Sequence, residues 1–489
     1  MLSETWKRVR DGIAVCVGQT PVLIMAGFLA GVAIHSFYPL ASTPTWVWCG
    51  MATLVLGLSV LSASEARARR MFFFALACAV GILRFDLTVP PSEIPSGENR
   101  YVGTVADVQS GMYGLQAKVA IEGIVAQINL KQPVPIGSKI EFTCAFKRLE
   151  KGEEDLDRRY AANYHRAQAR CSAKDLTVAA QPAWWDARQT FADLRSWTTA
   201  RISSAMPGDE GALIAGMLYG ERGMSKEAQD RFRRAGLTHL IAVSGSNITI
   251  VASVVFALLM GLGLWRRQAF WATSAALFTY VSFTGFSASV ARAAAMGWLV
   301  LLARHVGRPH RTWHVLLVSA AALNLIDPWM LAYDAGFALS FLATVGLMVW
   351  TPIFTERFKI IPEVAGLRET VATTCGATLM TLPYMAFAFE RASLAGLFTN
   401  VVAVPLVPYA MLFGAAAAAW GGFVGSALVS APAMGLAKTV FLSAKLADVL
   451  PWLDIHIARM DFALCLATYA LLGWIWFCLS RKSRFSTGK

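Results

Sequence analysis

The stretch GLTHLIAVSGSNITI, residues 236–250, places polar side chains at the head of an apolar run that continues to Leu259. The polar residues are His239, Ser244, Ser246 and Asn247. Hydrogen-bonding side chains are costly against lipid, so in a membrane they face protein or a water-filled passage. One interpretation is that the segment lines a transport path. The other is that its small polar residues hold packed helices together.

The composition of the whole chain indicates an integral membrane protein. Of its 489 residues, 56% are hydrophobic and only 15% are charged, and the mean hydropathy is +0.50. These values predict a polytopic α-helical membrane protein with room for one small domain outside the bilayer. The net charge of +13 is large for so few charged residues. Part of it reflects basic cytoplasmic loops, and the rest is suited to an anionic partner such as nucleic acid or acidic lipid.

Apolar runs of the length that a bilayer requires predict about 11 or 12 spans. They lie at about 13–37, 45–63, 71–87, 237–263, 269–285, 288–304, 312–327, 335–354, 370–389, 394–420 and 462–480. Residues 421–450 fit either a further span or a surface helix. Basic loops at 65–70, 265–267 and 304–311 and the basic tail predict cytoplasmic N- and C-termini. Prolines at 383, 405 and 408 are expected to break or bend the late spans.

Residues 90–182 show the period-two alternation of half-buried strands. About five short strands and a helical stretch near 156–169 predict a small extracytoplasmic domain with an OB-like β-barrel. Cys144 faces the inner side of its strand and Cys171 opens the last strand, so a disulfide between them is one interpretation. Two separate buried thiols are the other. Residues 183–236 follow as amphipathic connecting helices that lie on the membrane surface or pack on the bundle.

The predicted organisation is therefore five segments. These are N-terminal transmembrane helices at 1–89, the OB-like domain at 90–182, connecting helices at 183–236, a transmembrane channel domain at 237–480 and a cytoplasmic tail at 481–489.

Three of the charged residues inside or at the ends of apolar spans are candidates for the site. Arg292 stands early in a span, where a guanidinium faces the bundle interior or a boundary. It suits contact with passing phosphates, and it equally suits a structural pair with Asp327 or Asp334. Both carboxylates also fit simple helix-end roles.

The motifs that would indicate an enzyme are missing from the sequence. Ser244 lacks the leading glycine of a nucleophile elbow, and His239 five residues earlier does not make a triad. The seven histidines include no metal-binding spacing, and there is no phosphate-binding GxxxxGK loop. We therefore predict no catalytic residue, no metal, no cofactor and no enzymatic activity.

Three ordered motifs resemble the ComEC family of competence proteins, which are inner-membrane DNA-uptake channels. They are GLTHLIAVSGSNITIV at 236–251, SVARAAAMGWLVLLA at 289–303 and NLIDPWMLAYDAGFALSFLATVGL at 324–347. The likeness covers about 210–420, and GEEDLDRRYAANYHRAQARC at 152–171 is similar to a late part of the family's outer domain. By position, the resemblance implies channel or scaffold roles for His239, Ser244, Gly245, Asn247, Arg292, Asp327, Asp334 and Ser340.

The resemblance implies passage of single-stranded DNA across the plasma membrane during natural transformation. The HxHxDH pattern of a metallo-β-lactamase-like domain does not occur in this sequence, so any nuclease step comes from another protein or is absent. The expected partners are single-stranded DNA and plasma membrane lipid, together with a separate nuclease, a DNA receptor and a cytoplasmic helicase-type motor. An alternative function is transport or flipping of another anionic polymer or lipid.

Overall fold

The structure is a computed structural model. It describes residues 21–36, 50, 57, 66–88, 98–148 without 112–113, 122–123, 131 and 133, 169–181, 186–306 without 222, 242, 244 and 286–287, and 312–486 without 364–365, 421–425, 450 and 458–459. The chain divides into two compact units. The first comprises Met1–Ala192 and His310–Asp334, and the second comprises Asp193–Pro309 and Ala335–Lys489. The predicted span at 45–63 and the predicted helix at 156–169 lie almost wholly outside the described residues.

The helices are, in chain order, α1 Pro21–Ser36, α2 Ala66–Asp86, α3 Ala187–Ala205, α4 Asp209–Tyr219, α5 Lys226–Arg234, α6 Thr238–Ile241, α7 Gly245–Gly261, α8 Arg266–Phe283, α9 Ala288–His305, α10 Thr312–Ile326, α11 Met330–Tyr333, α12 Ala335–Val349, α13 Thr351–Arg357, α14 Leu367–Phe389, α15 Gly396–Trp420, α16 Ser426–Ala444, α17 Leu446–Val449 and α18 Phe462–Ser486. The strands are β1 Glu98–Gly111, β2 Gly114–Ile121, β3 Ile124–Leu130, β4 Lys139–Ala145, β5 Lys147–Arg148, β6 Ala169–Ser172, β7 Lys174–Ala180, β8 Arg391–Ser393 and β9 Asp454–His456.

In the first unit, α1 and α2 pack with their backbones in close contact. A Cβ atom at Gly27 or Gly31 would overlap the backbone of α2, so only glycine fits at these two positions. An aromatic cluster of Phe85, Trp329 and Tyr333 lies at one end of this pair, and the Tyr333 hydroxyl donates to the Ser36 carbonyl oxygen at 2.8 Å. The segment after α10 is thereby joined to α1.

The first unit also contains the β-sheet that the alternation predicted. The strand order of the sheet is β5-β6-β3-β2-β1-β4-β7. Strands β3 and β6 pair parallel, and the other described pairings of the sheet are antiparallel. Inward positions alternate with outward ones along β3 and β4. The inward side chains form one core, which includes Val119, Ile128, Phe142 and Cys144. A small β-sheet region is therefore present, as predicted.

The second unit is a helical bundle around α4. Most of α4 is buried, and it packs against α15, α16 and α6. A Cβ atom at Gly414 of α15 would overlap Ile214 of α4, so the glycine permits this close packing. The resulting core is apolar and continuous from Ile202 through α4 to the alanine-rich faces of α15 and α16.

Among the described residues, four helices are long and apolar enough to cross a membrane: Leu367–Phe389, Gly396–Trp420, Ala427–Val449 and Phe462–Leu479. Helices α12 and α13 together are also long and apolar enough, as one span that is bent by 46°. Four further apolar helices, Pro21–Ser36, Asn247–Gly261, Val290–Ala303 and Thr312–Ile326, are shorter. The chain is therefore a mostly helical membrane protein.

The open prediction for residues 421–450 now has a structural answer. Strand β8 precedes α15, strand β9 follows α16, and the two strands pair antiparallel through Ala392 and Ile455. Paired strands lie on the same side of a bilayer, so α15 and α16 cross as an antiparallel pair if either one crosses. The length and apolarity of Ala427–Val449 agree with a span rather than a surface helix.

The prolines do not break the late spans. Helix α14 is continuous through Pro383, and α15 is continuous through Pro405 and Pro408. A proline leaves the carbonyl four residues earlier without its donor, which for Pro383 is that of Leu379. The Tyr469 hydroxyl of α18 donates to the neighbouring Met380 carbonyl oxygen at 2.9 Å. Whether the prolines bend these spans stays a prediction.

Candidate functional site

The stretch of residues 236–250, the signature segment, begins where α5 ends. Gly236 adopts a left-handed conformation with φ of 70°, and the Leu237 amide donates to the Phe232 carbonyl oxygen at 2.8 Å. This is the pattern of a helix that stops at glycine. A Cβ atom at Gly236 would lie 2.9 Å from the Cα atom of Gly396, so the site also requires glycine for packing. The first residue of the segment therefore joins α5 to the start of α15.

Two hydroxyl groups cap the end of α5. The Ser393 hydroxyl donates to the Arg234 carbonyl oxygen at 2.6 Å, and the Thr399 hydroxyl donates to the Ala235 carbonyl oxygen at 2.8 Å. On the other side of α5, Arg231 and Arg234 each approach the Asp448 carboxylate at 3.0 Å. The carboxylate offsets part of the positive charge of this basic helix.

Asn247 caps the end of α4. Its side chain is 1% exposed, and its Nδ2 atom donates to the Met217 carbonyl oxygen at 3.0 Å. The Tyr280 hydroxyl of α8 donates to the next carbonyl, that of Leu218, and the Gly220 amide donates to that of Gly216 at 2.9 Å. The last carbonyls of a helix have no partner within the helix. Three donors from different parts of the chain therefore satisfy the end of α4.

His239 and Gly245 are accessible where Asn247 is not. The His239 side chain is exposed. Gly245 opens α7 and is also exposed. Ser244 and the side chain of Ser246 lie outside the described residues.

Arg292 belongs to the same region. Its side chain is 3% exposed, and its helix α9 packs against α7, α8 and α12. The neighbouring residues Val290 and Ala293 share a small apolar core with Val243 and Ile248 of the signature segment. A buried guanidinium in apolar surroundings is costly and needs compensation. The Arg292 guanidinium therefore requires a compensating polar or charged group close to it.

The remaining predicted residues divide between the two units. Asp327 and Asp334 belong to the first unit, and Ser340 is half-buried in α12 of the second. The Asp327 carboxylate accepts from the Trp329 amide at 3.1 Å, in the local turn that ends α10. This contact agrees with the helix-end interpretation of Asp327. The pairing of Arg292 with either aspartate stays a prediction.

The structure thus brings His239, Gly245, Asn247 and Arg292 into one part of the second unit and gives Asn247 a scaffold contact. Sequence reasoning missed Tyr280, Ser393 and Thr399, whose hydroxyls cap helix ends. Tyr280 could have been identified by its hydroxyl group within an apolar span. Ser393 and Thr399 were harder to identify, because serine and threonine hydroxyls are common in such segments. Within the described residues, no group of three or more His, Cys, Asp and Glu side chains is arranged to hold a metal.

Cys144 and Cys171 come together in the sheet core of the first unit. Both side chains are buried, their Cα atoms are 6.2 Å apart, and the structure joins them as a disulfide between β4 and β6. The Cα separation is within the range that a disulfide requires. Whether the bond forms in the cell stays a prediction.

Comparison with known proteins identifies the chain's relatives. A family model described as Competence protein matches residues 217–482, which is just over half of the 489 residues. ComE operon protein 3 of Bacillus subtilis (strain 168) is 28% identical over 225 residues, covering 46% of this chain and 28% of that relative. Uncharacterized protein YcaI of Escherichia coli (strain K12) is 27% identical over 210 residues, covering 40% of this chain and 27% of that relative. The matches thus cover under a third of the length of either relative, and no solved structure matches the chain.

Proposed function

Because the chain belongs to the competence-protein family, we propose that it forms the path by which single-stranded DNA crosses the plasma membrane in natural transformation. The observation that carries this proposal is the position of the family match. Residues 217–482 begin at Met217, the residue whose carbonyl Asn247 caps, and include all four long apolar helices. The matched region therefore covers most of the helical second unit together with α10 and α11 of the first, and a path through a membrane would lie within it.

The second unit offers different roles to the signature residues. Asn247 links α7 to α4 and would act as scaffold, whereas the exposed His239 would line the path. Arg292 would supply a positive charge, since a guanidinium suits phosphate oxygens. The proposed path thus runs past His239 and Gly245, with Arg292 as its cationic group. Ser244, Asp327, Asp334 and Ser340 keep the roles that the family resemblance implies.

The sheet domain would meet DNA before the membrane domain does. We propose that it is an OB-like barrel, which is a fold that holds single strands through basic and aromatic contacts. Two pairings support a closed arrangement. Strand β3 pairs parallel with β6, and β5, which follows β4 after Phe146 alone, pairs with β6 on the other side. The segment from β4 to β5 would then close the sheet between β1 and β6.

The proposed orientation puts both termini in the cytoplasm and the sheet domain outside. In that orientation β8, β9 and the end of α5 lie on the outer face, because Ser393 and Thr399 contact α5. The proposed boundaries stay 1–89, 90–182, 183–236, 237–480 and 481–489. A separate nuclease, a DNA receptor and a helicase-type motor complete the proposed machinery, and no catalytic residue is assigned to this chain.

A deletion strain of the naturally competent host tests the proposal. Transformation should fall to the assay background and return when the full chain is supplied again, while DNA binding at the cell surface continues. Normal transformation in the deletion strain would refute the proposal. An envelope defect with normal transformation would instead support transport or flipping of another anionic polymer or lipid.

A further inference from the structure

Helix α3 carries an exposed tryptophan that has no role in the proposed DNA path. The Trp197 side chain is 51% exposed, and the Cζ atom of the Arg201 guanidinium lies 4.5 Å from the centroid of its ring. A guanidinium at this distance over an indole is a cation–π contact. Arg201 therefore covers one face of the ring and helps to fix its orientation. Since half of the side chain stays exposed under this cover, the opposite face of the ring is open.

The other side of α3 is fixed to the second unit. The Arg195 Nε atom donates to the Phe283 carbonyl oxygen at 3.1 Å. The hydroxyls of Thr199 and Tyr219 form a hydrogen bond at 2.9 Å, and Ile202 is buried in the core around α4. Positions 195, 199 and 202 share one face of a helix, and position 197 lies on the opposite face. The contacts thus hold the helix in place and direct its tryptophan away from the bundle.

The contact of Arg195 places α3 beside the turn that leads to Arg292. Phe283 is the last residue of α8, and Arg292 lies in the second turn of α9, which begins at Ala288. A Cβ atom at Gly285, in the turn between the two helices, would lie 2.8 Å from the Arg195 guanidinium. Helix α3 is therefore at the same end of the bundle as the cationic group of the proposed path.

The contact of Thr199 places α3 beside the signature segment. Tyr219 is the last residue of α4, and the Asn247 side chain donates to the Met217 carbonyl oxygen in the same turn. Thr199 of α3 and Asn247 of α7 thus contact the same end of α4. In the proposed orientation this end of the second unit faces the outside. Trp197 therefore lies where an incoming strand arrives before it enters the membrane.

The surface around Trp197 is polar, which argues against burial of the ring in lipid. Within α3, Leu194 is the other exposed large apolar side chain. The exposed polar positions of the helix are Arg188, Thr190, Asp193, Ser196, Ser203 and Ser204. A helix that lies in a bilayer interface presents a continuous apolar face to the lipid. Helix α3 instead presents an aromatic ring among polar groups, and this suits a flat ligand that binds from water.

A base of single-stranded DNA has the chemistry that fits this position. Every base has a flat π face, and stacking of bases on exposed aromatic rings is a general way of binding single strands. In a duplex the bases stack on each other, so their faces are not free to contact an indole. The positive charge of Arg201 beside the ring also attracts the phosphates of the strand. The ring and the charge together therefore favour a single strand.

We propose that Trp197, held by Arg201, stacks on a base of the incoming single strand at the outer end of the second unit. This site rests on the proposed function, because a single strand must reach this end of the bundle. It adds a contact to the bases, whereas the proposed path contacts phosphates through Arg292. The ring holds the strand at the entrance without selecting a sequence, since all bases can stack.

Photo-crosslinking of the purified full chain tests this contact. The probe is a single-stranded oligothymidine in which 5-iodouracil replaces one thymine, because 5-iodouracil under ultraviolet light bonds to an aromatic ring that is stacked on it. Peptide mapping should locate a crosslink at Trp197. The control is Trp452, which is 69% exposed between α17 and β9. Absence of a crosslink at Trp197, or equal crosslinking at Trp197 and Trp452, would overturn the proposal.

A pair of oligonucleotides separates base stacking from phosphate contact. Oligothymidine and an abasic strand of the same length carry the same phosphates, so the ratio of their affinities reports the contribution of the bases. Trp197→Ala should lower this ratio about tenfold. Trp197→Phe keeps a ring and should retain most of the ratio, and Trp452→Ala should retain all of it. An unchanged ratio in Trp197→Ala would overturn the proposal and would fit a tryptophan at the membrane interface.

The outcomes distinguish this contact from the proposed function. The crosslink is measured in the unaltered chain, so it decides the question even if Trp197→Ala does not fold. If the deletion strain fails to transform but Trp197 neither crosslinks nor changes the affinity ratio, the stacking site is rejected and the proposed path stands. If the deletion strain transforms normally and the purified chain does not bind single strands, both are rejected.

Discussion

Asn247 donates from Nδ2 to the carbonyl oxygen of Met217 across 3.0 Å, and this bond joins the first turn of α7 to the last turn of α4. Both groups are buried, so the bond replaces contacts that water would otherwise make. Asn247, for which the sequence left a path role and a packing role open, thereby makes a packing contact between two helices.

Replacing Asn247 by Leu should destabilise the second unit. The variant leaves the Met217 carbonyl buried without this donor, which costs about 1–3 kcal/mol. Tyr280→Phe should cost a similar amount, since it removes the donor to the Leu218 carbonyl. Thermal unfolding of the purified chain in detergent measures both. Because the two donors cap the same helix end, the double variant should deviate from the sum of the single ones. Strict additivity would show that the two caps act independently.

Gly236→Ala should be more damaging than Gly263→Ala. Both glycines have positive φ, 70° at Gly236 and 84° at Gly263. An alanine in this left-handed region is destabilising by about 1–2 kcal/mol in both variants. Only at Gly236 does a Cβ atom also approach Gly396, since nothing lies within 4 Å of such an atom at Gly263. Unfolding midpoints of the two variants give the comparison. Equal midpoints would contradict the close contact between Gly236 and Gly396.

Oxidised Cys144 and Cys171 should appear as one linked peptide in non-reducing peptide mapping. The bond closes a sequence separation of 27 residues, and losing a disulfide costs typically about 2–4 kcal/mol. Cys144→Ala should therefore lower the unfolding temperature of the sheet domain. Cys478→Ala serves as the control, because Cys478 is an exposed free cysteine of α18. Recovery of both sheet cysteines as unlinked peptides would reject the bond.

Arg292→Leu should impair DNA uptake without preventing folding. Loss of a phosphate contact worth about 1.4 kcal/mol lowers affinity about tenfold, so uptake should fall by at least that order. Arg292→Lys should retain part of the activity because it keeps the charge. The control is Arg267→Leu at an exposed position of α8. Unchanged uptake by Arg292→Leu at normal protein levels would remove Arg292 from the path.

The sequence predicted the membrane class and the sheet because both depend on local periodicity. The alternation along β3 and β4 reflects burial of one face, and it placed Cys144 correctly on the inner side. Most of the apolar runs lie within a few residues of a helix, but the run at 237–263 is divided between α6 and α7, and the run at 45–63 lies almost wholly outside the described residues. The exact ends of the helices depend on caps such as Gly236, which the sequence also contains.

The prolines and Asn247 show where such reasoning stops. Pro383 looked able to break or bend its span, but α14 is continuous through it. Asn247 suited either a path or packing, and the contact it makes is with the Met217 carbonyl. That carbonyl belongs to another helix, and no local pattern indicates which helix that is.

Site-specific photo-crosslinking during uptake tests the proposed path most directly. A photoreactive residue replaces His239 in the competent host, and a second strain carries it at Trp474, 65% exposed on α18. If single-stranded DNA passes through the second unit, incoming labelled DNA should crosslink at position 239 and not at position 474. Absence of a crosslink at 239 in cells that take up DNA normally, or equal crosslinking at both positions, would contradict the proposed path.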